Sequence, residues 1–299
     1  MIARLAALAA AALLVASAPN RAAELQIYAD SYPVSFFAER IAGPAAKVTL
    51  PLPPEADPAT FVPGIDAVSA YQQADLIILN GAGLAQWTTR TSLPRAKTVD
   101  SAAALTAEFI ETAGITHSHG ESGEHAHAAT NAHTWLDFTL AAQQADAIAE
   151  ALSRKTPDQA ATFATNLATL KQELAALDAE ASAVASLTAG RPLLASHPLY
   201  DYFARRYGLT LTSLTWEPGT APSEAQLTEL DAALKAAPAS IMLLDAPPTA
   251  ATLEALAARS ITGVLFPIAA NRPSGGDFIT VMDASLQSLR DALAAGQKP

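Results

Sequence analysis

The chain of 299 residues contains no cysteine. Disulfide frameworks, thiolate-ligated zinc sites, iron–sulfur clusters and thiol catalysis are therefore excluded, and so is a lipid-modified cysteine as a membrane anchor. Aromatic residues make up only 6% of the sequence, and the hydrophobic 51% is rich in alanine, which suits helices better than a β-sandwich. The length favours two lobes over a single core.

Basic residues are also scarce, since 18 Lys and Arg stand against 29 Asp and Glu and give a formal net charge of −11. A protein that binds nucleic acid needs a basic face for the phosphate backbone, so we exclude nucleic acid as a partner. We expect the chain to be a monomer.

Long apolar runs are rare as well. The first, from Leu5 to Ala18, carries no charge and is too short to span a bilayer as a mature helix. It follows Arg4 and precedes small residues that suit signal peptidase. We therefore predict that residues 1–22 are a signal peptide and that the mature protein is soluble in the periplasm, without a lipid anchor.

Beyond residue 23, short apolar runs alternate with amphipathic stretches, which is typical of parallel βα units. Apolar residues at spacings of four and three predict one helix from Thr156 to about Ser186, roughly 45 Å long. We expect an N-terminal α/β lobe at 23–155, the long connecting helix at 156–188 and a C-terminal α/β lobe at 189–299. The last strand is predicted at Val264–Ile268.

Histidine carries the metal-binding chemistry that this sequence offers. The six histidines are His117, His119, His125, His127, His133 and His197. Four of them lie in a low-complexity loop, 116–130, together with Glu121 and Glu124. Imidazole and carboxylate groups suit zinc, copper or nickel, so we expect this loop to gather such ions. The alternative is a solvated loop whose histidines bind nothing.

The other two histidines lie beside predicted secondary structure. His133 stands in the segment Asn131–Asp137, where a helix begins, and His197 stands where the predicted strand Pro192–Ser196 meets the next helix. Ligand sites in parallel α/β folds collect at the carboxyl ends of the strands. We therefore predict that His133 and His197, one from each lobe, bind a metal ion.

The segments Ala132–Asp137 and Ser196–Leu209 resemble those of the metal-binding substrate-binding proteins of zinc and manganese ABC importers. The resemblance covers most of the mature chain. It implies two (β/α)4 lobes joined by one long α-helix, a metal ion in the cleft between them, and delivery of that ion to an inner-membrane ABC permease. Histidine rather than glutamate at His197 indicates the zinc branch, so Zn²⁺ is the expected cargo.

Two of the usual ligands of that family are missing. Ala59 stands where the family usually has a histidine, two residues after Asp57, and Phe266 stands where it usually has an aspartate. Zinc prefers four ligands, water included. We expect a loop histidine together with a carboxylate or water to complete the site. The candidate carboxylates are Asp57, Glu217 and Asp245.

Two other functions compete with the importer hypothesis. The missing ligands favour a divergent paralogue that acts as a periplasmic metal buffer, chaperone or sensor for zinc, copper or nickel. A site with few protein ligands could also serve a hydrolytic zinc enzyme. No His-Glu-x-x-His motif or comparable helix motif occurs, however, so we expect no enzymatic activity.

Overall fold

The computed structural model of the protein describes residues 24–112 and 129–296. The predicted signal peptide, residues 1–22, lies outside the described residues. Four of the six histidines lie outside them too, namely His117, His119, His125 and His127.

A parallel four-stranded sheet with the order β2-β1-β3-β4 forms the first lobe. Its strands are β1 (Leu25–Ala29), β2 (Ala46–Thr49), β3 (Leu76–Leu79) and β4 (Thr98–Asp100). An antiparallel hairpin follows, made of β5 (Glu111–Thr112) and β6 (Ala129–Thr130). The helices in this part of the chain are α1 (Tyr32–Ala42), α2 (Ile65–Gln73) and α3 (Phe138–Lys155).

A single helix, α4 (Ala160–Ser186), connects the two lobes. A 3₁₀ turn at Pro157–Gln159 precedes it. Its 27 residues correspond to about 40 Å, and neither glycine nor proline interrupts them. Among the described residues, neither this helix nor any other is long and apolar enough to cross a membrane.

The second lobe repeats the design of the first, with a parallel sheet in the order β10-β9-β7-β8. Its strands are β7 (Leu193–Ala195), β8 (Leu211–Ser213), β9 (Ile241–Leu244) and β10 (Thr262–Leu265). Its helices are α5 (Asp201–Tyr207), α6 (Glu224–Ala236), α7 (Ala250–Ala257) and α8 (Phe278–Ala295). Two parallel-sheet lobes joined by one long helix confirm the predicted fold class.

The last strand begins and ends earlier than predicted. The expected strand at Val264–Ile268 is instead Thr262–Leu265, so Phe266 lies just beyond its carboxyl end. The apolar run continues past the strand because Phe266 is buried in the core and Ile268 packs against it, while the Phe266 N–H still donates to the carbonyl of Leu244 in β9 at 2.7 Å. Hydrophobicity indicated that this segment packs on the core but not the residue at which the strand ends.

The core is continuous across the two lobes. A single cluster of buried residues runs from Ile27 in β1, through Leu170 and Leu174 of α4, to Leu293 in α8. Phe37 of α1 and Phe278 of α8 meet edge to face, with ring centroids 5.5 Å apart. The lobes are therefore packed against one another and not only tethered by α4.

Gly81 makes a close turn possible at the end of β3. Its φ is +85°, and a Cβ at this position would lie 1.9 Å from Oδ1 of Asp100. Only glycine fits this backbone conformation without displacing a neighbour. The turn keeps the preceding residue, Asn80, fully buried at the carboxyl end of the sheet.

Candidate metal centre

His133 follows the β5–β6 hairpin and begins a short 3₁₀ turn, Thr134–Leu136, ahead of α3. Two hydrogen bonds join His133 to the side chain of Asn131. The backbone nitrogen and the ring Nδ1 of His133 each lie 2.9 Å from Oδ1 of Asn131. The buried Asn80 side chain donates to the carbonyl of Ala132 at 2.9 Å. The backbone that leads into His133 is thereby fixed to the first lobe.

Burial, and to a smaller extent the charge of His197, lower the pKa of His133 to about 4. The two imidazoles are therefore near enough to interact electrostatically. At neutral pH the His133 ring is uncharged, and the neutral ring is the form that binds metal ions.

His197 lies two residues beyond β7, at the carboxyl edge of the second sheet. Its Nδ1 is 3.0 Å from the backbone carbonyl of Trp216, which can only accept a hydrogen bond, so Nδ1 carries the proton. In the part of the chain that the structure describes, Nε2 of neither His133 nor His197 makes a hydrogen bond. Both rings thus engage Nδ1 and leave Nε2 for a ligand.

Asp245 is the candidate carboxylate with the best position relative to His197. It follows β9, the neighbour of β7 in the sheet, and Ala195 pairs in register with Leu243, so the two side chains leave adjacent strand ends. The hydroxyl of Ser196 donates to Oδ1 of Asp245 at 3.2 Å. Burial raises the pKa of Tyr200, and the charge of Asp245 makes a smaller contribution in the same direction.

Glu217 lies close to the same strand ends but is exposed. It follows Trp216, whose carbonyl accepts the hydrogen bond from His197. Together with Asp245 and Ser196 it lines a cavity of about 20 Å³. A space of that size holds about one water molecule. The structure therefore brings Glu217 and Asp245 to the side of the site that carries His197.

Asp57 is not brought to either histidine by any contact among the described residues. It is exposed in the loop between β2 and α2, and its Oδ1 accepts from the backbone N–H of Ala59 at 2.9 Å. Ala59 lines an open cavity of about 290 Å³ together with Trp87 and Arg90, and neither His133 nor His197 borders that cavity.

Phe266 occupies the second position where the family usually has a ligand. The side chain is fully buried, and its ring meets those of Tyr200 and Phe203 at centroid distances of 5.7 and 5.2 Å. The Tyr200 hydroxyl donates to the Phe266 carbonyl at 2.7 Å. An apolar packing contact thus replaces an oxygen ligand at this strand end.

Within residues 24–112 and 129–296, no group of three His, Asp or Glu side chains lies close enough together to hold a metal ion. His133 and His197 form a pair, with Asp245 and Glu217 nearby on one side. Whether the loop histidines complete the site stays a prediction, because they lie outside the described residues.

Sequence reasoning missed the groups that hold the two histidines. Asn131 stands two residues before His133, and a short side-chain amide at that spacing is a signal for such a bond. The backbone carbonyl of Trp216 could not be predicted as a partner, since every residue has a carbonyl. Asp201, which binds the Asn131 amide, is 70 residues away along the chain.

Comparison with known proteins fits this architecture. The family of zinc-uptake complex component A, periplasmic (ZnuA), matches residues 27–292. The zinc-binding lipoprotein AdcA of Streptococcus pneumoniae TIGR4 is 26% identical over 294 residues, which cover 94% of this chain and 58% of that protein. This chain thus spans little more than half the length of that relative.

Two further comparisons agree with the first. The high-affinity zinc uptake system protein ZnuA of Paracoccus denitrificans is 27% identical over 249 residues, 73% of this chain and 75% of that one. The crystal structure of Zn(II)-bound AdcA from Streptococcus pneumoniae superposes with a TM-score of 0.74 at 22% identity, over 90% of this chain and 57% of that one. The two-lobed fold, the paired histidines and the match over nearly all the described chain lead to one conclusion: the protein belongs to the ZnuA family of periplasmic zinc-uptake components.

Proposed function

We propose that this protein captures Zn²⁺ between its lobes with His133 and His197 and delivers the ion to an inner-membrane ABC permease. The observation that carries the proposal is the pair of imidazoles, each held through Nδ1 by a neighbouring acceptor. Both Nε2 atoms are left for the ion, and the desolvated His133 ring has no proton to lose on binding.

Zinc fits this ligand set better than manganese does. Imidazole nitrogen suits zinc, copper and nickel, whereas manganese prefers carboxylate and carbonyl oxygens. Two imidazoles leave two positions of a tetrahedral site open. We propose that a histidine from His117 to His127 takes one of them, and that water or a carboxylate, with Asp245 best placed, takes the other.

The assignment to the periplasm is part of this proposal. A signal peptide at residues 1–22 would export the chain, and an ion captured there needs a permease to cross the inner membrane. The proposal involves capture and release, with no bond made or broken in a substrate. In keeping with it, the relatives are named for zinc binding or zinc uptake.

A second function is favoured by one specific observation. Ala59 and Phe266 replace two usual ligands, and Phe266 is a buried aromatic side chain, packed against Phe203, that offers no oxygen. A cleft weakened in this way would suit a periplasmic buffer, chaperone or sensor for zinc, copper or nickel, with ions held mainly by the loop 116–130.

Calorimetric titration of the mature, chelator-stripped protein with Zn²⁺, Mn²⁺, Cu²⁺ and Ni²⁺ separates the two functions. We expect one tight zinc site that disappears in the double variant H133A/H197A and survives in E229A, which removes an exposed carboxylate on α6. Deleting residues 116–130 should weaken this site, because it removes the proposed loop ligand, and should also abolish any additional zinc ions that bind more weakly. Tight binding retained by the double variant contradicts the proposal. Weak binding that depends only on the loop favours the buffer.

A further inference from the structure

Asn131 lies at the centre of a chain of polar contacts that ends on His133. Its Oδ1 is 2.9 Å from Nδ1 of His133, and its Nδ2 donates to Oδ2 of Asp201 at 2.9 Å. A longer contact of 3.5 Å joins the same Nδ2 to the carbonyl of Pro198. Asn131 as a whole residue is only 5% exposed, so water competes little for these bonds.

The chemistry of its neighbours allows the amide only one orientation. An ionised carboxylate and a carbonyl can only accept hydrogen bonds, so the amide nitrogen must face Asp201 and Pro198. The backbone N–H of His133 can only donate, and it lies 2.9 Å from Asn131 Oδ1. A reversed amide would lose all of these bonds at once.

This orientation decides where His133 carries its proton. An amide oxygen only accepts, so the Nδ1 atom that faces it must donate. A neutral imidazole has one N–H, and Nε2 is then the atom with a free lone pair. The amide therefore selects the tautomer that can bind an ion through Nε2.

The backbone of Asn131 is held as firmly as its side chain. Its N–H donates to the carbonyl of Ile110 at 2.8 Å, and its carbonyl accepts from the hydroxyl of Tyr202 at 3.0 Å. Asp201 and Tyr202 both belong to α5, which begins four residues after His197. The same short segment therefore carries one histidine and orients the other.

We propose that Asn131 is a positioning residue whose amide, oriented by Asp201, fixes His133 in the Nδ1–H tautomer and aims its Nε2 at the bound ion. The proposal rests on the proposed function in that His133 is taken to be a zinc ligand. Partners of this kind orient metal-binding histidines, and their loss weakens metal binding about 10- to 100-fold.

Long-range ¹H–¹⁵N correlation spectra of the zinc-free protein at neutral pH test the proposal directly. We expect the native His133 ring to show the Nδ1–H pattern and N131L to lose it, because leucine has similar size but offers no acceptor. The double exchange N131D/D201N keeps one oxygen of residue 131 facing His133 and lets the new amide at position 201 donate to the other oxygen, so it should restore the pattern. His197 is the internal control, since its partner is a backbone carbonyl that none of these changes removes.

Zinc titration of the same proteins completes the test. We expect N131L to bind about 10- to 100-fold more weakly than the native chain, and the double exchange to recover most of the loss. An Nε2–H pattern in the native protein, or an unchanged pattern in N131L, overturns the proposal. If the tautomer behaves as expected but H133A binds zinc like the native chain, the proposed function fails and the role of Asn131 in orienting the ring stands.

Discussion

Asp30 is a buried acid that the proposed zinc site does not use. It follows β1 and is 2% exposed. Its Oδ1 accepts from the backbone N–H of Asn80 at 2.9 Å and from the Ser31 hydroxyl at 3.0 Å. Its Oδ2 has no partner among the described residues. Burial raises the pKa of Asp30 to about 7, against the opposing effect of these hydrogen bonds.

A carboxyl whose pKa is higher in the folded than in the unfolded chain makes stability fall with rising pH. Below pH 4 Asp30 is protonated in both the folded and the unfolded chain and costs no stability. Between pH 4 and 7 the carboxyl ionises in the unfolded chain but stays protonated in the folded one, so stability falls. Above pH 7 the loss of stability is complete. The stability of D30N relative to the native chain should therefore rise by up to ~4 kcal/mol from pH 4 to pH 8. Urea denaturation across this range measures it. The exposed Asp283, changed to Asn, is the control, and parallel profiles for D30N and the native chain would contradict the prediction.

Phe266 and Ala59 should respond differently when the family's usual ligands are restored. F266D removes a fully buried ring and buries a carboxylate among Tyr200 and Phe203, so we expect a loss of at least ~3 kcal/mol in the free energy of unfolding. A59H places its ring beside an open cavity and should change stability by less than ~1 kcal/mol. Chemical denaturation of both variants measures the contrast. Equal losses in the free energy of unfolding would contradict the assignment of Phe266 to a closed core and of Ala59 to the edge of an open cavity.

The sequence revealed some residues of the candidate site and hid others for identifiable reasons. His133 and His197 stood out because they lie in local motifs beside predicted secondary structure. The link from Asn131 to Asp201 spans 70 residues and exists only once the two lobes have packed. The burial of Asp30 could not be predicted either, because acidic side chains are rarely buried without a partner.

Helix α4 ends at Ser186, as the sequence predicted, but it begins at Ala160, after a 3₁₀ turn, rather than at Thr156. The predicted repeat forms the inner face of the helix, since Phe163, Leu170, Leu174 and Leu177 are buried and Leu167 is partly buried against the core. Strand β4 and the β5–β6 hairpin received no prediction, because two or three residues carry too short a pattern to recognise.

The buried face of α4 should carry most of the contribution of this helix to stability. Leu174 is fully buried in the core cluster that joins the lobes, so L174A should cost about 2–5 kcal/mol. Gln172, two residues away on the exposed face, is the matched control, and Q172A should change stability by less than ~0.5 kcal/mol. Denaturant titration followed by circular dichroism compares them; similar costs would contradict the assignment of the two faces.

On the scale of the whole molecule, contacts cross between the lobes at several points outside α4. The Trp135 indole N–H donates to the carbonyl of Ile268 at 2.8 Å, and Asn271 donates to the carbonyl of Pro53 at 2.8 Å. Glu39 of α1 pairs with Arg272 at 2.7 Å. The division into lobes at residues 155 and 189 stays a prediction, and one cluster of buried residues extends across both boundaries.

These contacts predict that the chain unfolds as one unit. Differential scanning calorimetry of the metal-free protein should show one transition whose calorimetric and van't Hoff enthalpies agree. The variants I78A in β3 and L243A in β9 remove fully buried side chains, one from each sheet. Each should lower the temperature of the whole transition without splitting it. Two separate transitions would instead indicate lobes that unfold independently.

Trp135 gives this architecture an optical consequence. Its indole is fully buried, bridges the lobes and lies edge to face with the His133 ring at a centroid distance of 5.2 Å. An ion on His133 would therefore share its surroundings with a natural fluorophore. Zn²⁺ has a filled d shell and should only shift the emission, whereas open-shell Cu²⁺ should quench it. With the other two tryptophans, Trp87 and Trp216, replaced by phenylalanine, the light emitted by one residue would identify the ion in the cleft without any label.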